Sequence, residues 1–328
     1  MLKLISGKGW TIALACAIGH ALIISNVSLA QTGADLLIKP WPKGQHCEMQ
    51  GGITFLDDGH TSNADNLQMT FYDASGRVRI WPEQRADPRF GWDVKYIHLD
   101  TNDPALPSKL VDTSVAFGMG VAEQDGWQAG ITAAIGYAAA GAFDDGNGWY
   151  AKADFAIGKE FKEGQSIGFV LDYDGNRTLM PDVPLPGFEY RTQLDPKLLL
   201  AVGFPFSSVR WRPIEQLTID AKYVFPDDGQ VRVDYEVIKD FGLFAEYLLR
   251  QDAFHNDAFA NTHDRLIFQQ RRIEGGVRWT PWKEASLIAA VGYAFSQEFN
   301  VGWDTRDQDR VAKPSDEPYV RVGFEFRY

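Results

Sequence analysis

Residues 127–139 read Trp127-Gln-Ala-Gly-Ile-Thr-Ala-Ala-Ile-Gly-Tyr-Ala-Ala139. Trp127, Ala129, Ile131, Ala133, Ile135, Tyr137 and Ala139 fall on one side of an extended chain, and Gln128, Gly130, Thr132, Ala134, Gly136 and Ala138 fall on the other, because side chains alternate every residue in a strand. The next stretch repeats the pattern. Trp149, Ala151, Ala153, Phe155 and Ile157 alternate with Tyr150, Lys152, Asp154 and Gly158. Further along, Leu217, Ile219, Ala221, Tyr223 and Phe225 alternate with Asp220 and Lys222, and Val231, Val233, Tyr235 and Val237 with Arg232, Asp234 and Glu236. Strands with one greasy and one charged face suit either a water-soluble sandwich or a membrane barrel with an aqueous interior.

The other end of the chain separates these two. In residues 318–328, PYVRVGFEFRY, Val320, Val322, Phe324, Phe326 and Tyr328 share one face, and Arg321, Glu325 and Arg327 share the other. This resembles the C-terminal strand signal of bacterial outer-membrane barrels, in which a terminal aromatic follows alternating apolar residues; the resemblance implies insertion by the barrel assembly machinery. The first thirty residues agree. Lys3 and Lys8 precede an apolar run without acidic residues, and Ser28-Leu29-Ala30 supplies small residues for a signal peptidase, with cleavage expected after Ala30. The rival is a lipoprotein modified at Cys16, but Ala13 stands where a leucine is usual and the apolar run continues past the cysteine. Export then leaves Cys47 as the single thiol, too few for a disulfide framework.

The expected architecture is all-β: a transmembrane antiparallel up-and-down β-barrel of even strand number. The expected organisation is a signal peptide (1–30), a periplasmic N-terminal linker (31–46) and the barrel (47–328). No window beyond the signal holds the roughly 18 consecutive apolar residues of a spanning helix. Aromatics at 13% and 31 glycines suit strands and turns. Longer outer loops are expected near 57–66, 100–109, 141–147, 174–186, 205–206, 226–229, 251–265 and 300–317, with shorter inner turns near 82–88, 123–126, 161–164, 195–196, 213–215, 239–240 and 281–284. Counting the segments between them gives sixteen strands. Segments 186–193, 197–204 and 207–212 are shorter than the roughly nine to eleven residues of a tilted membrane strand, which leaves fourteen and twelve open.

The stretches Leu171-Asp172-Tyr173-Asp174, Leu185-Pro186-Gly187-Phe188, Gly203-Phe204-Pro205 and Val291-Gly292-Tyr293-Ala294-Phe295 resemble an uncharacterised family of outer-membrane β-barrel proteins, carrying a domain of unknown function, from planctomycete-like and other double-membraned bacteria. The resemblance covers about residues 110–328. It implies fold and location and no activity.

Charge narrows the functional classes. A formal charge of -12 argues against a nucleic-acid partner, which needs a basic face. The eight outer loops gather nineteen acidic residues, among them Asp103, Asp145, Asp174, Asp252, Asp304, Asp307 and Asp309, against six basic ones. Such loops keep a surface soluble; alternatively they recruit divalent cations or favour cations at a pore mouth. The inward face is mixed. Lys152, Arg191, Arg210, Arg212, Lys222, Arg232, Arg272, Arg278, Arg321 and Arg327 share it with Asp154, Glu189, Asp220, Asp234, Glu236, Glu274 and Glu325. They either pair across strands and stiffen the wall or line a wet channel.

No residue is assigned a catalytic, cofactor-binding or metal-ligating role. His98 with Asp100, and His263 with Asp264, are histidine–carboxylate pairs of the kind a hydrolase would need, but neither comes with a nucleophilic serine. Asp172, Asp174 and Asn176 have a calcium-loop spacing broken by Gly175 and by the absence of a distal glutamate. The expected function is a passive, porin-like diffusion channel of the outer membrane. A structural or surface-interaction barrel without a pore is the alternative, and an outer-membrane hydrolase is third.

Overall fold

The structure is a computed structural model that describes residues 35–38, 41, 44–81, 86–225 and 228–328. The expected signal peptide lies outside them, as do much of the 31–46 segment and part of the 82–88 turn.

Among the described residues seventeen strands follow one another: β1 (Cys47–Gly59), β2 (Leu67–Arg79), β3 (Arg89–Thr101), β4 (Lys109–Gln124), β5 (Trp127–Ala139), β6 (Trp149–Lys162), β7 (Gln165–Asp174), β8 (Leu185–Asp195), β9 (Leu198–Phe204), β10 (Phe206–Ile214), β11 (Leu217–Val224), β12 (Asp228–Ile238), β13 (Phe241–His255), β14 (Arg265–Trp282), β15 (Ala285–Asp304), β16 (Asp307–Ala312) and β17 (Glu317–Arg327). Each pairs antiparallel with its chain neighbour, except that β15 pairs with both β16 and β17. The far third of β15 holds β16 and the rest holds β17, so these two make one interrupted stave. The wall therefore has sixteen staves. β1 closes it against β17, with Gly52 opposite Gly323 and Thr54 opposite Arg321. Closure pairs the first stave with the last, so the sheet has no open edge below the β15–β16 hairpin, which is what allows strands to sit in lipid.

The count of sixteen stands, and the short segments are genuine strands β8, β9 and β10. The last long loop is different from expectation. Most of 300–317 is strand, because β15 runs on to Asp304 and turns back after two residues. Similarly, β13 continues to His255, so Asp252 belongs to the wall and not to a loop.

Alternation fixes which way each side chain points. Val115, Phe117, Ile131, Ile135, Phe155, Phe169, Val202, Val231, Leu243, Ile273, Val291 and Val322 face outward and stay exposed, forming an apolar belt. Trp81, Trp127, Trp211, Trp279 and Trp282 ring the belt at the end with the short turns, where an amphipathic indole suits a membrane interface.

The two halves of the wall are built differently. β14 and β15 have 18 and 20 residues, whereas β9, β10 and β11 have 7, 9 and 8. The tall half, β1–β5 with β13–β17, folds in on itself at the loop end. Its inward residues Leu67, Met69, Phe71, Ile97, Leu99, Leu110, Phe254, Leu266, Phe268 and Phe299 bury one another in a dry core. Phe268 lies 5.9 Å from Phe71 and stacks at 4.6 Å on Phe299. The loop ends of β5 and β13 touch there: the Ala140 N–H donates to the His255 carbonyl at 2.8 Å, and Ala139 pairs in parallel with His255.

The turn end of the same half is also occupied. A short helix, α1 (Asp35–Ile38), sets Leu36 and Leu37 against β4 and β5. Gly118 and Gly130 make room for them; a Cβ at Gly130 would lie 2.9 Å from Leu37 Cδ2. Arg89 Nη1 donates to the Leu36 carbonyl at 2.6 Å, and Trp41 lies 4.1 Å beneath the Arg77 guanidinium. The described part of the 31–46 segment thus packs on the inner wall.

Candidate functional site: the lumen along the short half

What the tall half excludes, the short half leaves open. A cavity of about 1090 Å³ runs along the inner faces of β6–β12 and is closed on its other side, below the dry core, by residues of β1–β4, β13–β15 and β17 such as Thr54, Asp73, Lys95, Arg272 and Arg321. Glu160, Gln193, Lys197 and Arg212 line it at the turn end, and Asp174, Leu185, Phe206 and Asp228 at the loop end. It therefore extends the height of the wall.

Its lining follows from the alternation read in the sequence, and the charges are paired. Arg191 meets Glu189 at 2.7 Å, Arg210 meets Asp220 at 2.6 Å, Lys152 meets Asp174 at 3.2 Å and Arg177 meets Asp172 at 2.5 Å. Asp220 stands opposite Arg232 in the ladder, yet Arg210 is the cation it engages. Arg232 turns to Asp234 at 3.0 Å and Glu246 at 3.4 Å, with its guanidinium 4.2 Å from the Phe244 ring. Arg278 reaches Asp234 at 3.3 Å, while Glu274 accepts from Arg321 and, at 2.8 Å, from the Tyr319 hydroxyl.

A second set of charges crosses the barrel and marks the floor of the dry core. Lys95 on β3 reaches Asp252 on β13 at 2.6 Å, and Arg250 on β13 reaches Asp73 on β2 at 3.2 Å. Arg250 and Arg272 lie 5.2 and 4.3 Å from the Phe71 ring. Guanidiniums thus cover the aromatic edge that would otherwise meet the wet cavity. Asp73 and Lys95 escape the sequence reading because β2–β4 were not divided into faces. Trp92-Asp93-Val94-Lys95 carries the same alternating signal as the strands that were.

At the loop end, residues 175–184 lean over the cavity, with Leu179 and Met180 in its lining. The segment is fastened to the tall half. The Thr305 N–H donates to the Thr178 carbonyl at 3.0 Å, the Met180 N–H to Asp304 Oδ2 at 3.1 Å and Arg265 Nη2 to the Arg177 carbonyl at 3.0 Å.

The histidine pairs do not converge on a reactive centre. His98 and Asp100 are exposed on the outward face of β3. In the 256–264 loop, Asn261 accepts from the His263 N–H at 3.2 Å and donates to Asp264 at 2.9 Å, which is loop structure. Asp172 and Asp174 spend their carboxylates on Arg177 and Lys152, and Asp174 also accepts from the Asn176 N–H at 2.8 Å.

The acidic surface is smaller than the loop count implied. Asp174 and Asp252 face the lumen, and Asp103, Asp145 and Asp304 are buried. Asp103 accepts from the Thr61 hydroxyl at 2.6 Å, and Asp145 from the Asn147 N–H at 2.7 Å. Burial opposes charge on Asp304, but the Arg306 side chain and the Arg306 and Met180 N–H groups overcome it and hold the carboxyl below its ordinary range. Asp307 and Asp309 do stay exposed.

No family model matches the chain, and no curated protein matches it, so the resemblance to the uncharacterised barrel family gains no support there. Solved structures similar in outline include a TodX monoaromatic hydrocarbon channel deltaS2 mutant (11% identity, 90% of this chain and 93% of that one, TM-score 0.44). Others are the toluene transporter TodX of Pseudomonas putida (10%, 95% and 97%, TM-score 0.40) and the NanC porin (11%, 86% and 100%, TM-score 0.29). At these scores no residue role is transferred, and the barrel rests on its own hydrogen-bond ladder.

Proposed function

We propose that the protein is a passive diffusion channel of an outer membrane. The single observation that carries this is the charged cavity running the height of β6–β12 inside a closed wall with an apolar exterior. A water-filled path needs polar walls and room; a barrel serving only as an anchor could fill both halves as the tall half is filled. The proposal includes export with cleavage after Ala30, insertion through residues 318–328 by the barrel assembly machinery, contact of the belt with outer-membrane lipid, and binding of divalent cations at exposed acids such as Asp307 and Asp309. It assigns no catalytic step and no cofactor.

Purified protein in a planar bilayer should give stepwise conductance. A second reading, a surface barrel without an open pore, is favoured by one feature: the 175–184 segment tied across the mouth. A flat current trace from correctly folded protein, identified by its heat-modifiable gel mobility, would decide for that second reading.

A further inference from the structure

Arg272 occupies an inward position on β14, level with Leu248 on β13 and Ala294 on β15. It is 4% exposed. Its Nε donates to Gln270 Oε1, and its guanidinium lies 4.3 Å from the Phe71 ring and 5.4 Å from that of Tyr319. The group is thereby pinned in orientation. Its Nη2 has no hydrogen-bond partner among the described residues, and the side chain lines the cavity.

The carboxylates around it are engaged elsewhere. Asp73 is held by Arg250, Asp252 by Lys95 and Arg250, and Glu274 by Arg321 and the Tyr319 hydroxyl. A buried carboxylate without a partner can take up a proton, but a guanidinium keeps its charge. An uncompensated buried charge is among the costliest features a fold can carry, so the counter-charge has to come from the cavity.

We propose that Arg272 is the anchor of an anion site in the lumen and takes the carboxylate of a small organic acid. The planar fork suits two carboxylate oxygens. The surroundings suit an organic body, because the Phe71 and Tyr319 rings lie against the guanidinium and Leu248 stands opposite Arg272 in the ladder, apolar surface against which a strongly hydrated inorganic anion would lose water without return. The site is separate from the exposed acids of the loop end and opposes their preference for cations. It does not depend on conduction, since an occluded barrel would hold the same ligand.

The test is calorimetric titration of folded protein in detergent with sodium benzoate, acetate and chloride. Benzoate should bind the parent with one-to-one stoichiometry and more tightly than acetate, with chloride giving no heat at the same concentrations. Arg272→Gln should weaken benzoate at least tenfold, and Arg306→Gln, outside the lumen, should leave it unchanged. If Arg272→Gln does not fold, Leu248→Glu serves instead. It sets a carboxylate beside the guanidinium within the chain, and should abolish benzoate binding while raising the unfolding midpoint. No binding of benzoate to the parent, equal binding after Arg272→Gln, full binding to Leu248→Glu, or chloride binding as tightly as benzoate would each overturn the proposal. The conductance of the parent enters none of these outcomes, so the site and the channel can fail separately.

Discussion

Two halves of one wall, made by the same alternation of inward and outward residues, have opposite interiors. In β1–β5 and β13–β17 the inward positions near the loop end are Leu, Ile, Met and Phe, and facing strands close on them. In β6–β12 the corresponding positions are Asp, Lys, Arg and Ser, and the wall stays apart around a cavity. Apolar side chains gain by leaving water, so the tall half collapses, whereas charged ones gain by keeping some. The composition of one face, at constant topology, thus decides between a core and a cavity.

The largest expected effects come from breaking the dry side. Phe268→Ala leaves a cavity between Phe71 and Phe299 and should cost about 3–5 kcal/mol, read by urea unfolding from lipid vesicles. Phe206→Ala, on the wet side, should cost about 0.5 kcal/mol or less. Equal losses would erase the distinction between the halves.

Within β6–β12 the charge pairs should divide by depth of burial. Arg232 is 2% exposed and sits between Asp234 and Glu246, so Arg232→Gln leaves two carboxylates buried and should cost roughly 3–5 kcal/mol. Arg191, whose side chain is 24% exposed to the cavity, should cost under about 1 kcal/mol on the same change. Comparable values would mean that the Arg191 pair is as dry as the buried Arg232 pair.

The outward face gives an intermediate test. Ile131→Arg places a charge in the belt and should cost about 2–4 kcal/mol in lipid, against far less in detergent that can adapt around it. A small penalty in vesicles would contradict the assignment of that face to lipid.

Smaller effects belong to the loop end. Asp304 is held below its ordinary carboxylate range, so it contributes stability above that range and loses it as pH falls through the folded value. Asp304→Asn should destabilise at pH 7, and parent and variant should converge as pH falls below the ordinary carboxylate range. A gap that persists at acid pH would show that the charge is not what matters. If the barrel conducts, Asp307→Asn with Asp309→Asn should lower cation preference in reversal potentials at 0.1 M salt. Little change is expected at 1 M, where the Debye length falls from about 10 Å to about 3 Å. A change that survives high salt would place those acids inside the pathway.

The periodicity made most of the architecture legible. Strands β5, β6, β11, β12 and β17 fall where alternation put them, and β4 and β7–β10 lie between the expected turns and loops, even β9, at 7 residues, which is marked by the turns at 195–196 and 205–206. The extensions above the belt were harder to see. Residues 300–312 are polar enough to pass for a loop, but β15 and β16 hydrogen-bond as a hairpin there, so their composition reflects exposure and not irregular backbone. The division of the interior was not legible either. Phe71 and Phe268 are nearly two hundred residues apart, and nothing local says that their faces meet across the barrel. For the same reason Lys95 and Asp252 could each be read only as a strand or loop charge, and their ion pair emerges only when the circle closes.

The central claim is that solute moves along β6–β12 and not through the filled half. Its most direct test is thiol block of single-channel current in a Cys47→Ser background, with Ser208→Cys on the cavity side and Leu99→Cys in the dry core. A water-soluble methanethiosulfonate reagent should reduce the unit conductance of Ser208→Cys within minutes and leave Leu99→Cys unchanged. Block of Leu99→Cys with no response from Ser208→Cys would contradict the claim.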